Sequence, residues 1–468
     1  MTFNSVEFLV LMLAFMAVWP WARGRERPRY WAISIASVVF YGWWDWRFVG
    51  LLVLSGAIDF VAALLMERRP RARKALVILS MTANLALLGF FKYARWLLGE
   101  VAALGGFDVP PDSFVHSIIL PVGISFYTFQ SMSYTIDVYR GELRATRDPL
   151  HFFAYLAMFP QLVAGPIVRA ADLLPQLRTP GMFNSVNRWG GLERVALGFL
   201  KKCVIADNIA PIVNAAFAVD PELAGAAHWW SAAALFAIQI YCDFSGYSDI
   251  AVGIALWMGY SFRENFRHPY VAVGFRGFWS RWHISLSTWF RDYVYIPLGG
   301  SRGSRLRSGV NLWVTMLLSG LWHGAAWTFV AWGALHAAFL TGERLLPEAR
   351  RLPARIGMWF VTIVGVLWTW IFFRAESIAQ AWSISGRMWS ASGWSDPIVR
   401  FELGVSGALA VGLFAVVEIG ALLLGREGRC ESRGPSPVSA LRFAGVVLAL
   451  VICVFLRGPG GEFIYFQF

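Results

Sequence analysis

Apolar residues in this chain come in long runs, and the charged residues are confined largely to the short stretches between them. The runs fall at 6–22, 30–46, 48–66, 75–92, 115–135, 149–168, 191–218, 228–242, 248–260, 310–323, 325–341, 354–373, 401–424 and 441–457. Many approach the ~20 apolar residues that a helix needs to cross hydrocarbon. The shorter ones predict re-entrant pieces. Backbone polar groups must pair internally in lipid, so the pattern predicts an all-α polytopic membrane protein with about 11–13 membrane-embedded helices. Residues 1–468 read as a single integral-membrane domain without internal repeats, and 426–437 is the most linker-like loop. The first run lacks a basic start and a small-residue cleavage site, so it reads as a membrane helix and not as a cleaved signal.

Composition strengthens this reading. The chain is 57% hydrophobic and 15% charged, against about 25% charged in soluble domains. Its 24 Trp, 37 Phe and 14 Tyr suit interfacial aromatic belts. The net charge of +12 raises nucleic acid as a partner, but the basic residues sit in loops between apolar runs and no nucleic-acid motif is present. Arginines at 23, 25, 27 and 29, and the run Arg68-Arg69-Pro70-Arg71-Ala72-Arg73-Lys74, follow the first and third runs. The positive-inside rule puts both loops in the cytoplasm, and an inner membrane is the expected location. Cys203, Cys242, Cys430 and Cys453 form no paired motif, so neither a disulfide framework nor a zinc site is expected.

One segment departs from this spacing. Eight arginines lie between 263 and 307, opposed only by Glu264 and Asp292, with aromatics interleaved as in Phe275-Arg276-Gly277-Phe278-Trp279-Ser280-Arg281-Trp282. It reads as an interfacial or re-entrant segment on the cytoplasmic side, with contact to anionic headgroups as the simpler alternative. Residues 310–340 then contain no Asp, Glu, Lys or Arg, yet include His323 and His336.

A titratable group at such depth is costly and marks a candidate site. Imidazole is also the side chain best suited to moving a proton near neutrality. His323 either donates a hydrogen bond between packed helices or handles a proton. Gly320 and Gly324 beside it permit close backbone approach or a helix break. His336, 13 residues on, would lie about 20 Å away along one continuous helix and reads as a packing or supporting residue. His283 among its arginines reads as interfacial. The stretch Tyr241-Cys242-Asp243-Phe244-Ser245-Gly246-Tyr247-Ser248-Asp249 is open to two readings: caps where a helix breaks, or a polar lining to a cavity through Asp243, Ser245 and Tyr247. Gly299-Gly300-Ser301-Arg302-Gly303 fits a nucleophile elbow in form only, with no strand before it. No HExxH pattern, metal site or phosphate-binding glycine loop is present.

The chain resembles the membrane-bound O-acyltransferase family over nearly its whole length, most of all the bacterial branch that modifies alginate and teichoic acids. The resemblance rests on Leu120-Pro121-Val122-Gly123-Ile124-Ser125-Phe126-Tyr127-Thr128-Phe129, on Phe159-Pro160-Gln161-Leu162-Val163-Ala164-Gly165-Pro166-Ile167, and on the segments 241–249, 281–293 and 320–324. Trp370-Ile371-Phe372-Phe373-Arg374-Ala375 and the tail Phe463-Ile464-Tyr465-Phe466 complete it.

The resemblance implies a helix bundle around a transmembrane tunnel. In it His323 is the principal histidine, and His283, 40 residues earlier, is the second polar position. It also implies transfer of an acetyl group from cytoplasmic acetyl-coenzyme A toward a cell-envelope polysaccharide such as alginate or peptidoglycan, through a periplasmic or membrane-anchored partner transferase or small carrier protein. D-alanyl transfer to a teichoic acid-type polymer is the runner-up within the family. A transporter of acyl groups or lipid is the competing class, which paired half-repeats would favour. Acetyl-coenzyme A enters as donor substrate, with no tightly bound cofactor expected. Its phosphates would suit Arg276, Arg281, Arg302 and Arg305, because arginine grips phosphate bidentately. Trp322 joins Asp243, Ser245 and Tyr247 as an expected tunnel residue.

Overall fold

A backbone N–H or C=O left unpaired in hydrocarbon is so costly that helix is the form in which most of this chain can enter it. The computed structural model describes residues 1–110, 112–179, 185–391, 394, 403–423, 439–460 and 463–464, the side chains of 185–187 and 439–442 excepted. Among the described residues the regular structure is helical, with no strand. The loop 426–437, Cys430, Tyr465 and Phe466 lie outside them.

Among the described residues four helices are long and apolar enough to cross a membrane on those grounds alone: Arg47–Arg68, Pro70–Gly105, Leu352–Arg374 and Gly404–Leu423. Several expected runs take another form. Residues 149–168 hold only Pro149–Leu156 and the four-residue Phe159–Leu162, since Pro160 and Pro166 cannot donate to a continuing helix. In 115–135 the helix starts only at Ile124, after Gly123 turns the chain at φ 76°. The runs 228–242 and 248–260 are one helix, Ala226–Met258.

The described residues form two units. The first comprises Met1–Val195 and Ser248–Arg263. Its centre includes a fully buried carboxyl group, Asp59 on Arg47–Arg68. Ser80, Ser131 and Asn84 donate hydrogen bonds to it, Asn84 at 3.0 Å. These donors stand on Arg73–Gly105 and Ile124–Arg140, so one buried group ties three helices. Arg29, also buried, donates to the carbonyls of Leu177 and Arg178 at 2.9 and 2.7 Å. It thereby satisfies acceptors that the end of Ala170–Arg178 would leave open.

The second unit comprises Ala196–Tyr247, Glu264–Glu431 and Ser436–Phe468, as far as these are described. Residues Leu200–Ala206 are π-helical. A π turn closes i onto i+5, which brings Lys202 and Asp207 to one face. Lys202 Nζ lies 2.8 Å from Asp207 and 2.7 Å from Asp243 of the Ala226–Met258 helix.

Helices Arg305–His323 and Trp327–Glu343 pack closely because glycines face the partner backbone on each side. A Cβ on Gly320 would stand 2.3 Å from the carbonyl oxygen of Phe329, and one on Gly333 would stand 2.5 Å from that of Met316. Lipid offers no hydrophobic drive between helices, so such small-residue contact is what lets them gain dispersion energy. Gly324 and Ala326 are extended, with φ −159° and −155°, and they separate the two helices. Gly333→Val should therefore cost about 1–3 kcal/mol or more from overpacking. Melting of the purified protein in detergent should fall clearly for this variant and stay near wild type for Gly309→Ala, whose added Cβ meets nothing within 4 Å. A Gly333→Val protein that melts like wild type would show that the close approach does not matter.

Candidate active site

His323 is the last residue of Arg305–His323, just before the break at Gly324. It is 3% exposed. Its ring centroid lies 5.0 Å from that of Trp332, 5.1 Å from Trp322 and 5.3 Å from Phe373. His283, fully buried, precedes the short helix Ile284–Phe290. The two imidazole centroids are 6.3 Å apart, with Trp322 5.9 Å from His283. The structure thus brings together residues 40 positions apart in the chain.

What holds His283 is Asn265. The Asn265 Oδ1 accepts the Ser285 backbone N–H at 3.2 Å and the Ser285 hydroxyl at 2.8 Å. A backbone N–H can only donate, so the atom facing it must be the amide oxygen. The same oxygen lies 3.2 Å from His283 Nδ1. Nδ1 therefore carries the hydrogen, and in the neutral ring Nε2 is the basic nitrogen. The Asn265 carbonyl also accepts from Ile284 N at 2.8 Å, and the Arg267 N–H donates to Arg281 O at 2.9 Å. These bonds hold His283 at φ 42°, a left-handed conformation shared among described non-glycine residues only with His268. Such a position costs about 1–3 kcal/mol and persists only where its surroundings enforce it.

Phe244 packs edge-on against His283 at 4.7 Å. Behind it stands the tail: Phe463 is 5.7 Å from Phe244 and 5.1 Å from Tyr247. Ile464 N–H donates to Asp243 Oδ2 at 2.7 Å. Asp243 is thus held by Lys202 and by the tail backbone. Because Ala226–Met258 runs unbroken through this stretch, the helix-break reading of Asp243 and Ser245 does not hold. Ser245 and Tyr247 are buried in that helix.

His336 is separated from His323 by the break at Gly324. Its Nε2 and Nδ1 meet the Thr369 hydroxyl at 3.1 Å and the Trp279 indole N–H at 3.3 Å. Arg276, Arg302 and Arg305 are exposed, and half-buried Arg281 donates to Arg267 O at 3.2 Å. Asn265, Phe244 and Lys202 were not picked out from the sequence. No spacing signals Asn265, since its role depends on a chain reversal 18 residues long.

Set against known proteins, residues 126–385, both histidines included, match the membrane-bound O-acyltransferase family. The chain belongs to this family. It is 41% identical over 404 residues to a probable alginate O-acetylase of Azotobacter vinelandii, covering 84% of this chain and 79% of that one. The corresponding protein of Pseudomonas aeruginosa is 42% identical over 405 residues, covering 84% and 76%. A peptidoglycan O-acetyltransferase of Helicobacter pylori is 34% identical over 433 residues, covering 84% and 80%. The protein is therefore a multi-pass membrane O-acyltransferase.

Lys202 sets a test of the framework behind the site. Lys202→Met removes the cation that both Asp207 and Asp243 contact, and breaking such a buried pair typically costs about 3–5 kcal/mol. Unfolding in detergent should show that loss, and adding Asp207→Asn and Asp243→Asn should recover part of it. Unchanged stability in the single variant would contradict the ion cluster.

Proposed function

We propose that this protein moves an acetyl group from cytoplasmic acetyl-coenzyme A across the inner membrane toward a cell-envelope polysaccharide. The observation that carries the reading is the buried pair of imidazoles, His283 and His323, 6.3 Å apart between centroids. At that separation a hydroxyl or thioester could lie within reach of both. Acetyl is favoured over D-alanyl because the relatives that cover 84% of the chain are named for acetyl transfer. Alginate-like polymer or peptidoglycan is the acceptor class that those names suggest.

In this reading His323 takes the proton of the acceptor hydroxyl as its oxygen attacks the thioester carbonyl. The carbon–sulfur bond then breaks, and the departing thiolate takes up the proton to leave coenzyme A. His283, its tautomer set by Asn265, assists at the same centre. The aromatic walls of Trp322, Trp332 and Phe373 keep water from the thioester. Arg276, Arg281, Arg302 and Arg305 receive the phosphates of the donor. In the same reading Trp322, Asp243, Ser245 and Tyr247 line the tunnel.

The acceptor hydroxyl belongs to a partner transferase or small carrier and not to the polymer itself. An extended sugar chain is poorly solvated inside a membrane, and the regular structure of the described residues is helical, with no separate sheet or domain to grip one. The protein therefore hands acetyl to a partner at or beyond the membrane, which passes it to the polysaccharide.

One assay tests both steps. Purified protein receives radiolabelled acetyl-coenzyme A and polymer, with and without the envelope fraction that holds the partner. Label should reach polymer only with that fraction. His323→Ala should reduce transfer by about 10²–10⁴, and His336→Ala far less. Near-wild-type transfer by His323→Ala would sink its role as base. Efficient labelling of polymer by this chain alone would refute the relay and leave the histidine assignment standing.

A further inference from the structure

The first unit carries a solvent-open cavity of about 650 Å³ lined by Glu67, Arg144, Ala145, Arg147, Asp148 and Arg178, the three arginines being exposed. Glu67 stands at the end of Arg47–Arg68, and Arg178 closes Ala170–Arg178. The other four belong to the connection between Ile124–Arg140 and Pro149–Leu156. Three elements thus converge their ends on one space.

The charges round this cavity are not matched to one another. Both carboxylates are already engaged. Glu67 Oε1 accepts the Ala145 N–H at 2.7 Å. Asp148 Oδ1 caps the following helix by accepting the Leu150 N–H at 3.0 Å, and Oδ2 lies 3.6 Å from the Arg27 guanidinium. The guanidinium groups of Arg144, Arg147 and Arg178, by contrast, make no hydrogen bond or ion pair with any described residue. Each offers five donors in a planar fork that fits phosphate two bonds at a time.

Volume narrows the ligand further. Small-molecule sites span roughly 300–1,000 Å³, and this cavity falls within that range. It is larger than a lone phosphate would fill. The arginine-rich loop that follows Glu67 is also the one that the positive-inside rule assigns to the cytoplasm. Soluble phosphorylated cofactors and inner-leaflet headgroups are both at hand on that side.

We propose that this cavity binds a phosphate mono- or diester carried on a larger molecule, held by Arg144, Arg147 and Arg178. The proposal does not rest on the role of the histidines. A soluble nucleotide and an anionic phospholipid present the same chemistry, and the test separates them.

Full-length protein is placed in nanodiscs of phosphatidylcholine, and binding of radiolabelled adenosine 3′,5′-bisphosphate is measured. A second set contains phosphatidylglycerol, whose retention is read by native mass spectrometry. The triple variant Arg144→Gln, Arg147→Gln, Arg178→Gln should weaken one or both by about tenfold or more, as loss of charge-assisted hydrogen bonds requires. Arg355→Gln, an exposed arginine of the other unit, serves as control and should change neither. A loss confined to the nucleotide identifies a soluble ligand, and one confined to phosphatidylglycerol identifies a headgroup; either supports the site. Equal binding of both probes by wild type and triple variant, or an equal loss in the control, overturns it.

Discussion

The amide oxygen of Asn265 accepts three hydrogen bonds at one point, and the geometry around His283 depends on that. It takes the Ser285 N–H, the Ser285 hydroxyl and the His283 ring N–H together. The first of these decides that the atom is oxygen, and the third then decides which ring nitrogen is basic. The left-handed backbone at His283 is the local cost of turning the ring toward His323. Without the Asn265 side chain the tautomer has no cause, and the turn keeps only its backbone bonds, Ile284 N–H to Asn265 O and Arg267 N–H to Arg281 O.

The other half of the pair is placed by close backbone packing. Gly320 and Gly333 let two helices approach until carbonyl oxygens lie where side chains would otherwise be. His323 follows Gly320 by one turn and sits where the helix must end. Elsewhere, the buried polar groups obey the same rule in different ways. Asp59 is met by hydroxyls and an amide, Arg29 by carbonyls at a helix end, and Asp243 by a lysine and a backbone N–H. Each arrangement spans several elements. The polar groups of this protein therefore fix which helices are neighbours, while its apolar surface fixes only that they are helices.

That division explains what is legible in the sequence alone. Helix type and some boundaries were legible: the apolar run at 48–66 became Arg47–Arg68, and that at 354–373 became Leu352–Arg374. His323 stood out because it is titratable within an uncharged stretch. The fate of Asp243 was not legible. Its partners Lys202 and Ile464 are 41 and 221 residues away, and a π turn that sequence does not announce aligns Lys202 with Asp207. His283 could be connected to His323 only through family resemblance, since nothing within its own segment specifies the 6.3 Å approach. Asn265 was invisible for the same reason. Local pattern reports burial and period, whereas a site assembled from distant elements is decided by pairings that each element carries only half of.

The most direct measurement is an experimental structure of the protein with a non-hydrolysable thioether analogue of acetyl-coenzyme A. The acyl carbonyl should lie in the space between His283 and His323, walled by Trp322, Trp332 and Phe373. Well-defined density for the acyl group elsewhere, with both imidazoles out of contact, would contradict an acyl-transfer centre at this histidine pair.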